Sequence, residues 1–163
     1  IEKLYVKDIS LEIPNAPQVF LEREGPQVDI QLHHASTKVD EGVYQTLLTV
    51  TVTAKVKDKT LFLAEVGQAG IFVIRNIPPA DLDPVLGIAC PNILYPYVRE
   101  VVSDVVSRAG FPPVVLSPVN FEALFQAHDG FTVGGAVFCP FGKCVAIGVA
   151  CFHEVQEGAC HFF

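Results

Sequence analysis

Basic residues are scarce in this chain: 11 lysines and arginines stand against 18 aspartates and glutamates, a net charge of −7. No basic patch offsets that balance, which argues against nucleic acid or anionic lipid as a partner. Cysteine is almost absent from the first four-fifths of the chain. Cys90 is the only one in residues 1–128, so no intramolecular disulfide can form there, a pattern that suits a reducing cytoplasm. Tryptophan and methionine are missing altogether. The chain begins at Ile1 rather than Met, so residues are expected to precede it in the native protein, and the visible N-terminus has no signal-peptide architecture.

The equipment of an enzyme is missing as well. Cys90 stands just before a helix start, where a thiol pKa can fall, but no histidine is near it in sequence and Pro91 follows, so a buried structural cysteine is expected. His33 and His34 are adjacent at the end of a strand and point to opposite faces, which rules out a metal pair. Asp40-Glu41 precedes Gly42 and reads as a turn, while Asp81 and Asp83 read as the cap and first turn of a helix. Gly67-Gln68-Ala69-Gly70 lacks the lysine and the strand-to-helix context of a phosphate-binding loop. No catalytic residue, metal or cofactor is expected.

What is present is a chain of 163 residues, enough for one domain with a real core. Residues 1–13 alternate loosely as a strand. Pro14, Pro17, Gly25 and Pro26 forbid regular structure over 14–26, which becomes a long surface crossover. Val28, Ile30 and Leu32 alternate with polar residues in a half-buried strand. Residues 43–56 are the clearest strand: Leu48, Val50, Val52, Ala54 and Val56 point one way and Thr49, Thr51, Thr53 and Lys55 the other. Lys57-Asp58-Lys59 makes a turn into a strand over 60–74, in which Gly67 and Gly70 mark a bulge or a close backbone approach.

Helical signals follow. Asp81–Gly87 forms a short piece, and a long helix runs from Pro91 to about Ala109, stopping at Gly110. Its apolar stripe is Ile93, Leu94, Tyr97, Val98, Val101, Val102, Val105 and Val106, and Pro96 is expected to bend it. A last helix opens at Pro118-Val119-Asn120, with Asn120 its N-cap. Strands first and helices last describe an α+β layer: a four-stranded antiparallel sheet with helices packed on one face. The threonine-rich face either meets water or forms a subunit interface.

Tyr5-Val6-Lys7-Asp8-Ile9-Ser10, Pro14-Asn15-Ala16-Pro17 with Phe20, Val50-Thr51-Val52-Thr53-Ala54, Gly70-Ile71-Phe72, Cys90 through Glu100, and Pro118 through Phe125 form a set of motifs. Together they resemble the SecB family of bacterial protein-export chaperones. These fall in the family's order over roughly residues 1–128. The resemblance implies a cytoplasmic homotetramer, a dimer of dimers, that holds unfolded secretory preproteins in an export-competent state and passes them to the SecA motor. It places preprotein against Phe20, Val28, Ile30, Leu32, Leu86, Tyr97 and Phe125. It places SecA against Asp8, Glu12, Leu63 and Glu65, and it assigns Ala64, Val66 and Gln68 to the strand that helps build the oligomer. The family's crossover often carries a tryptophan, but Glu24 and its neighbours occupy that region here.

The composition breaks at residue 129. Residues 129–163 hold four of the five cysteines, half of the twelve phenylalanines and half of the twelve glycines. Cys139, Cys144, Cys151, His153, Cys160 and His161 match no compact zinc module, because the Cys-x-x-Cys knuckle is absent. Lys143, Pro140 and the glycines keep the segment well short of a membrane span. The abrupt change beside an intact upstream pattern reads as a frameshift, read-through or fusion, which resequencing the coding DNA decides. Two rival functions remain open: a homo-oligomeric module binding a small apolar ligand in the same groove, and a metal–thiol function of the tail.

Overall fold

The computed structural model describes residues 1–126 and the backbone of Ala136–Val137. Four long antiparallel strands make the sheet: β1 (Lys3–Glu12), β2 (Gln27–Asp40), β3 (Val43–Val56) and β4 (Lys59–Val73). With the short β5 (Ala136–Val137), the order across the sheet is β1-β4-β3-β2-β5. β2, β3 and β4 are joined by tight turns. Gly42 turns the first at a φ of +68°, where a Cβ would also meet the Ile74 carbonyl oxygen at 3.2 Å. Lys57 turns the second at a φ of 53°. The crossover between β1 and β2 contains a single 3-10 turn at Gln18–Leu21, and Val19 pins that turn to the core.

β3 alternates as its sequence predicts, with Leu48, Val50, Val52 and Ala54 buried on the helix-facing side. Register carries that side across the sheet: Val50 pairs with Val66 and Leu32, and Val52 with Ala64 and Ile30. β2 differs from expectation. It runs on to Asp40, so His33 and His34 lie in mid-strand, opposite Thr49 and Leu48, and not at a strand end. The bulge foreseen near Gly67 sits on the partner strand, where β1 shifts register between Val6 and Asp8. Gly70 is the close approach: a Cβ there would lie 2.7 Å from the Phe72 ring.

The helical layer begins earlier than its sequence indicates. α1 (Pro79–Pro84) passes through a π turn at Val85–Ala89 directly into α2 (Cys90–Arg108). Pro78 is the N-cap residue of α1 and provides no side-chain cap, so Asp81 supplies first-turn charge rather than a cap. In the π turn the Cys90 N–H donates to the Val85 carbonyl, five residues back. Pro91 has no N–H with which to restore the usual spacing. Helical structure continues through Pro96. At the other end Gly110, at a φ of +87°, reverses the chain, with Gly110 N–H on Ser107 O and Phe111 N–H on Val106 O. α3 (Phe121–Gln126) is capped as predicted, its Ala123 N–H donating to Asn120 Oδ1 at 3.1 Å.

The core lies between the sheet and α2. Leu94, Val98, Val102 and Val106 form a fully buried seam, each worth about 1.5–3 kcal/mol on burial. The predicted stripe is therefore narrower than its sequence implies: Ile93, Val101 and Val105 are half-buried and Tyr97 is 49% exposed. Tyr95 takes the inward place, edge-on to Phe121 with ring centroids 5.6 Å apart, and its hydroxyl donates to the Ser117 carbonyl.

Candidate functional site

Two surfaces stand out, one on each side of the sheet. The first is apolar and faces the helices. Leu32 and His34 of β2, Leu48 of β3, Gly87 of the π turn and Phe121, Leu124 and Phe125 of α3 line a small cavity of about 40 Å³. Gly87 is what admits Phe125, since a Cβ at that position would lie 2.4 Å from the phenyl ring. Phe125 nevertheless remains 37% exposed, a large aromatic at the mouth of the cavity. Burial and the neighbouring His33 lower the pKa of His34 from its usual 6.5, so its imidazole is neutral at pH 7.

A second apolar element lies on the crossover. Phe20 is half exposed and stacks on Phe111, centroids 5.2 Å apart, and Phe111 in turn packs on Phe62 of β4 at 4.9 Å. An aromatic ladder thus runs from the core to the surface without a tryptophan. Leu21 beside it is 76% exposed. Salt bridges tie the crossover to the β3–β4 turn, Lys57 to Glu24 at 2.6 Å and Lys59 to Glu22 at 3.1 Å.

Of the residues singled out for preprotein, Phe20, Tyr97 and Phe125 are exposed and Leu86 is half-buried. Leu32 is buried but lines the cavity, while Val28 and Ile30 belong to the closed core of the protomer. Phe111 and Leu124 escape a reading of the sequence. For Phe111 a signal existed: the residue after a helix-ending glycine is the usual place for an apolar contact back to the helix.

The second surface is the outer face of the sheet. Glu12 pairs with Leu63, Ser10 with Glu65 and Asp8 with Gly67, so Asp8, Glu12, Leu63 and Glu65 share one face. Thr51 donates to Glu65 Oε2 at 3.0 Å and holds that carboxylate in place. One row further in, Leu63 pairs with Thr53 and Thr53 with Asp29, which carries the acidic strip to β2. Ala64, Val66 and Gln68 point the other way, toward α2, and are buried within the protomer. Among the described residues, the Gln68 Oε1 is buried and accepts no hydrogen bond.

The remaining chemistry is quiet. Cys90 is buried, and desolvation pushes its thiol pKa up, only partly offset by a hydrogen bond with Thr46. Among the described residues, no group of three or more His, Cys, Asp or Glu side chains could hold a metal ion, and no helix is long and apolar enough to cross a membrane. The cysteines and histidines of residues 139–161, and the composition break at 129, lie outside the described residues.

A SecB-like chaperone, Rv1957 of Mycobacterium tuberculosis, solved in complex with a ChAD peptide from the Rv1956 HigA1 antitoxin, shares the fold at a TM-score of 0.60. It is 17% identical, over 72% of this chain and 88% of that one. The protein-export protein SecB of Chromobacterium violaceum is 68% identical over 126 residues, covering 77% of this chain and 84% of the relative. That of Methylobacillus flagellatus is 63% identical over 138 residues, covering 83% and 88%. The family model described as preprotein translocase subunit SecB matches residues 1–130, and the chain belongs to the SecB family.

Proposed function

We propose that this chain is a protein-export chaperone that binds unfolded preproteins, keeps them competent for translocation and delivers them to SecA. The observation that carries the reading is exposed aromatic surface with an open sheet edge close by: Phe125 stands at the mouth of the cavity lined by Leu32 and His34 of β2, and Phe20 stands out from the crossover on Phe111. An extended chain gains main-chain hydrogen bonds at such an edge and buries its own side chains against such rings. Large apolar contacts discriminate weakly among sequences, which suits many clients. The peptide bound to the M. tuberculosis relative supports the same use of this fold. Client residues are assigned to Phe20, Tyr97 and Phe125 at the surface, to half-buried Leu86 and to Leu32 in the cavity wall, with Val28 and Ile30 supporting the groove from within.

SecA docks on the outer acidic face through Asp8, Glu12, Leu63 and Glu65. Carboxylates displayed on a flat sheet attract a basic partner at long range, which raises the association rate and makes it sensitive to salt. The chain acts as a homotetramer, a dimer of dimers, in the bacterial cytoplasm. Support comes from β1, an outermost strand whose Val6 and Ile9 are 41% and 47% exposed. Several grooves on one particle let a long client wrap and gain affinity by multivalency. Holding the unfolded state opposes its folding and aggregation by mass action, without hydrolysis by this chain. Residues 1–128 form the chaperone domain and 129–163 an atypical extension. A cavity of about 40 Å³ is far smaller than the several hundred Å³ of a small-molecule site, which disfavours a dedicated apolar ligand.

Light scattering with and without a slow-folding secretory precursor tests this reading. A tetramer that takes up the unfolded precursor and ignores its folded form is the expected result. A monomer, or a particle indifferent to the unfolded chain, overturns it.

A further inference from the structure

β2 is an edge strand over most of its length. Among the described residues nothing pairs with its outer side from Asp29 to Asp40, while Gln27 and Val28 are paired antiparallel with Val137 and Ala136 of β5. An edge of unpaired N–H and C=O groups is a template for any further extended segment. The segment that takes it here comes from the part of the chain with a different composition. From Gly130 to Gly142 there is no charged residue, and Phe131, Thr132, Val133, Val137, Phe138 and Phe141 are all strand formers. Uncharged, β-prone sequence of this kind is also what an unfolded secretory chain offers to an edge.

The position matters as much as the composition. Gln27 and Val28 are the first rungs of β2, reached immediately after the crossover that carries Phe20. Leu32 and His34, further along the same strand, line the cavity beneath Phe125. A client strand laid along β2 past this cavity and on to the start of the strand therefore meets the two rungs that β5 already holds.

We propose that Ala136–Val137 is an intramolecular stand-in for a client, so that this chain's own tail competes with unfolded polypeptide for the start of the β2 edge. The inference rests on the chaperone reading above. Because Ala136 follows the end of α3 by ten positions in the chain, the pairing pays no association cost of its own. Two residues make few hydrogen bonds, so the strand gives way to a client that binds a longer stretch. A competitor in cis raises the apparent Kd by the inverse of the fraction of molecules whose edge is free. It also shields two rungs of an otherwise sticky edge. Whatever event placed this tail on the family's scaffold, the consequence for the edge is the same.

The test uses the full chain with both strand residues changed, Ala136→Pro together with Val137→Pro, since proline cannot donate to a ladder. A second variant ends after Gln126. The client is reduced, carboxymethylated lactalbumin, which cannot refold, and amide hydrogen exchange is followed at Gln27 and Val28. The expected result is a Kd roughly threefold to tenfold lower in both variants, the range for an edge free in a tenth to a third of molecules. Faster exchange at Gln27 and Val28 should accompany it. Equal client affinity in all three proteins, at any measurable value, overturns the competition and leaves the chaperone reading intact, whether or not the amides differ. Failure of all three proteins to bind the client overturns both.

Discussion

The two faces of this sheet are built from the same strands by the same alternation, yet they have opposite characters. On the helix-facing side Val50, Val52, Ala54, Ala64 and Val66 are buried under α2. One residue along each strand, the outer side presents Thr49, Thr51, Thr53, Glu65, Asp8 and Glu12. A period of two lets one sheet carry a dry core and an acidic outer surface less than a strand's thickness apart. The lesson is that the two proposed functions are separable by mutation. Changes on the helix side should act on stability and on the client groove. Changes on the outer side should leave the fold alone.

The largest effect is expected at the centre of the dry side. Leu94 is fully buried in the α2 seam, and Leu94→Ala should cost about 2–5 kcal/mol through lost transfer energy and a residual cavity. Urea unfolding of the two proteins checks this. A cost under about 1 kcal/mol would mean that α2 is not seated on the sheet as described.

Gly87→Ala comes next and links the core to the groove. The new methyl would lie 2.4 Å from the Phe125 ring, so either the ring or the π turn must move. Such overpacking costs about 1–3 kcal/mol. Because Phe125 is at the mouth of the cavity, client affinity should fall in the same variant. An unchanged Tm with unchanged client binding would show that Phe125 does not pack against the turn.

Tyr95 carries a smaller, pH-dependent effect. Burial pushes its phenol from 10 up to about 12, with Arg99 above the ring opposing the shift. The folded state therefore holds the phenolic proton more tightly than the unfolded state does. Its contribution is fully present below pH 10, the unfolded value, and is lost as pH rises from 10 towards 12. Tyr95→Phe should remove that part of the alkaline loss and, by deleting the hydrogen bond to Ser117, cost about 1 kcal/mol at neutral pH. Denaturant midpoints at pH 8 and pH 11 in the two proteins measure both. Parallel pH dependence in the variant would contradict the assignment.

Much of this was legible in advance, and the exceptions have physical causes. β3 announces itself because apolar and polar residues alternate without interruption from Leu48 to Val56. The helix-ending Gly110 and the cap Asn120 are equally plain, since each meets a local backbone demand. β2 beyond Leu32 is not legible: His33 to Lys38 has no apolar alternation. It is a strand because the Asp40–Gly42 turn zips it onto β3, with Lys38 opposite Tyr44. Tyr95 was hidden by Tyr97, because a helical stripe drawn at ideal spacing cannot say which of two nearby rings finds a partner. Phe121 and Ser117, distant in sequence, decide it. The groove was the least legible part. Its aromatic ladder joins Phe20, Phe111 and Phe62 from three separate segments, and only the packed chain brings them together.

The smallest expected change in stability belongs to the outer face, and it sharpens the comparison most. Asp8→Asn, Glu12→Gln and Glu65→Gln together remove three charges while keeping the shape of the side chains. The Thr51 hydroxyl can still donate to the Glu65→Gln amide oxygen in place of the carboxylate it now meets at 3.0 Å. Stability should stay within about 0.5 kcal/mol, as for most surface substitutions. Binding to SecA at low salt should weaken roughly tenfold, the work of about 1.4 kcal/mol, mostly through a slower association rate. The salt dependence of that rate should flatten in parallel, because exposed charges are what salt screens. Client binding should not move. If the triple variant instead loses client affinity with SecA binding intact, the two faces have been assigned the wrong way round.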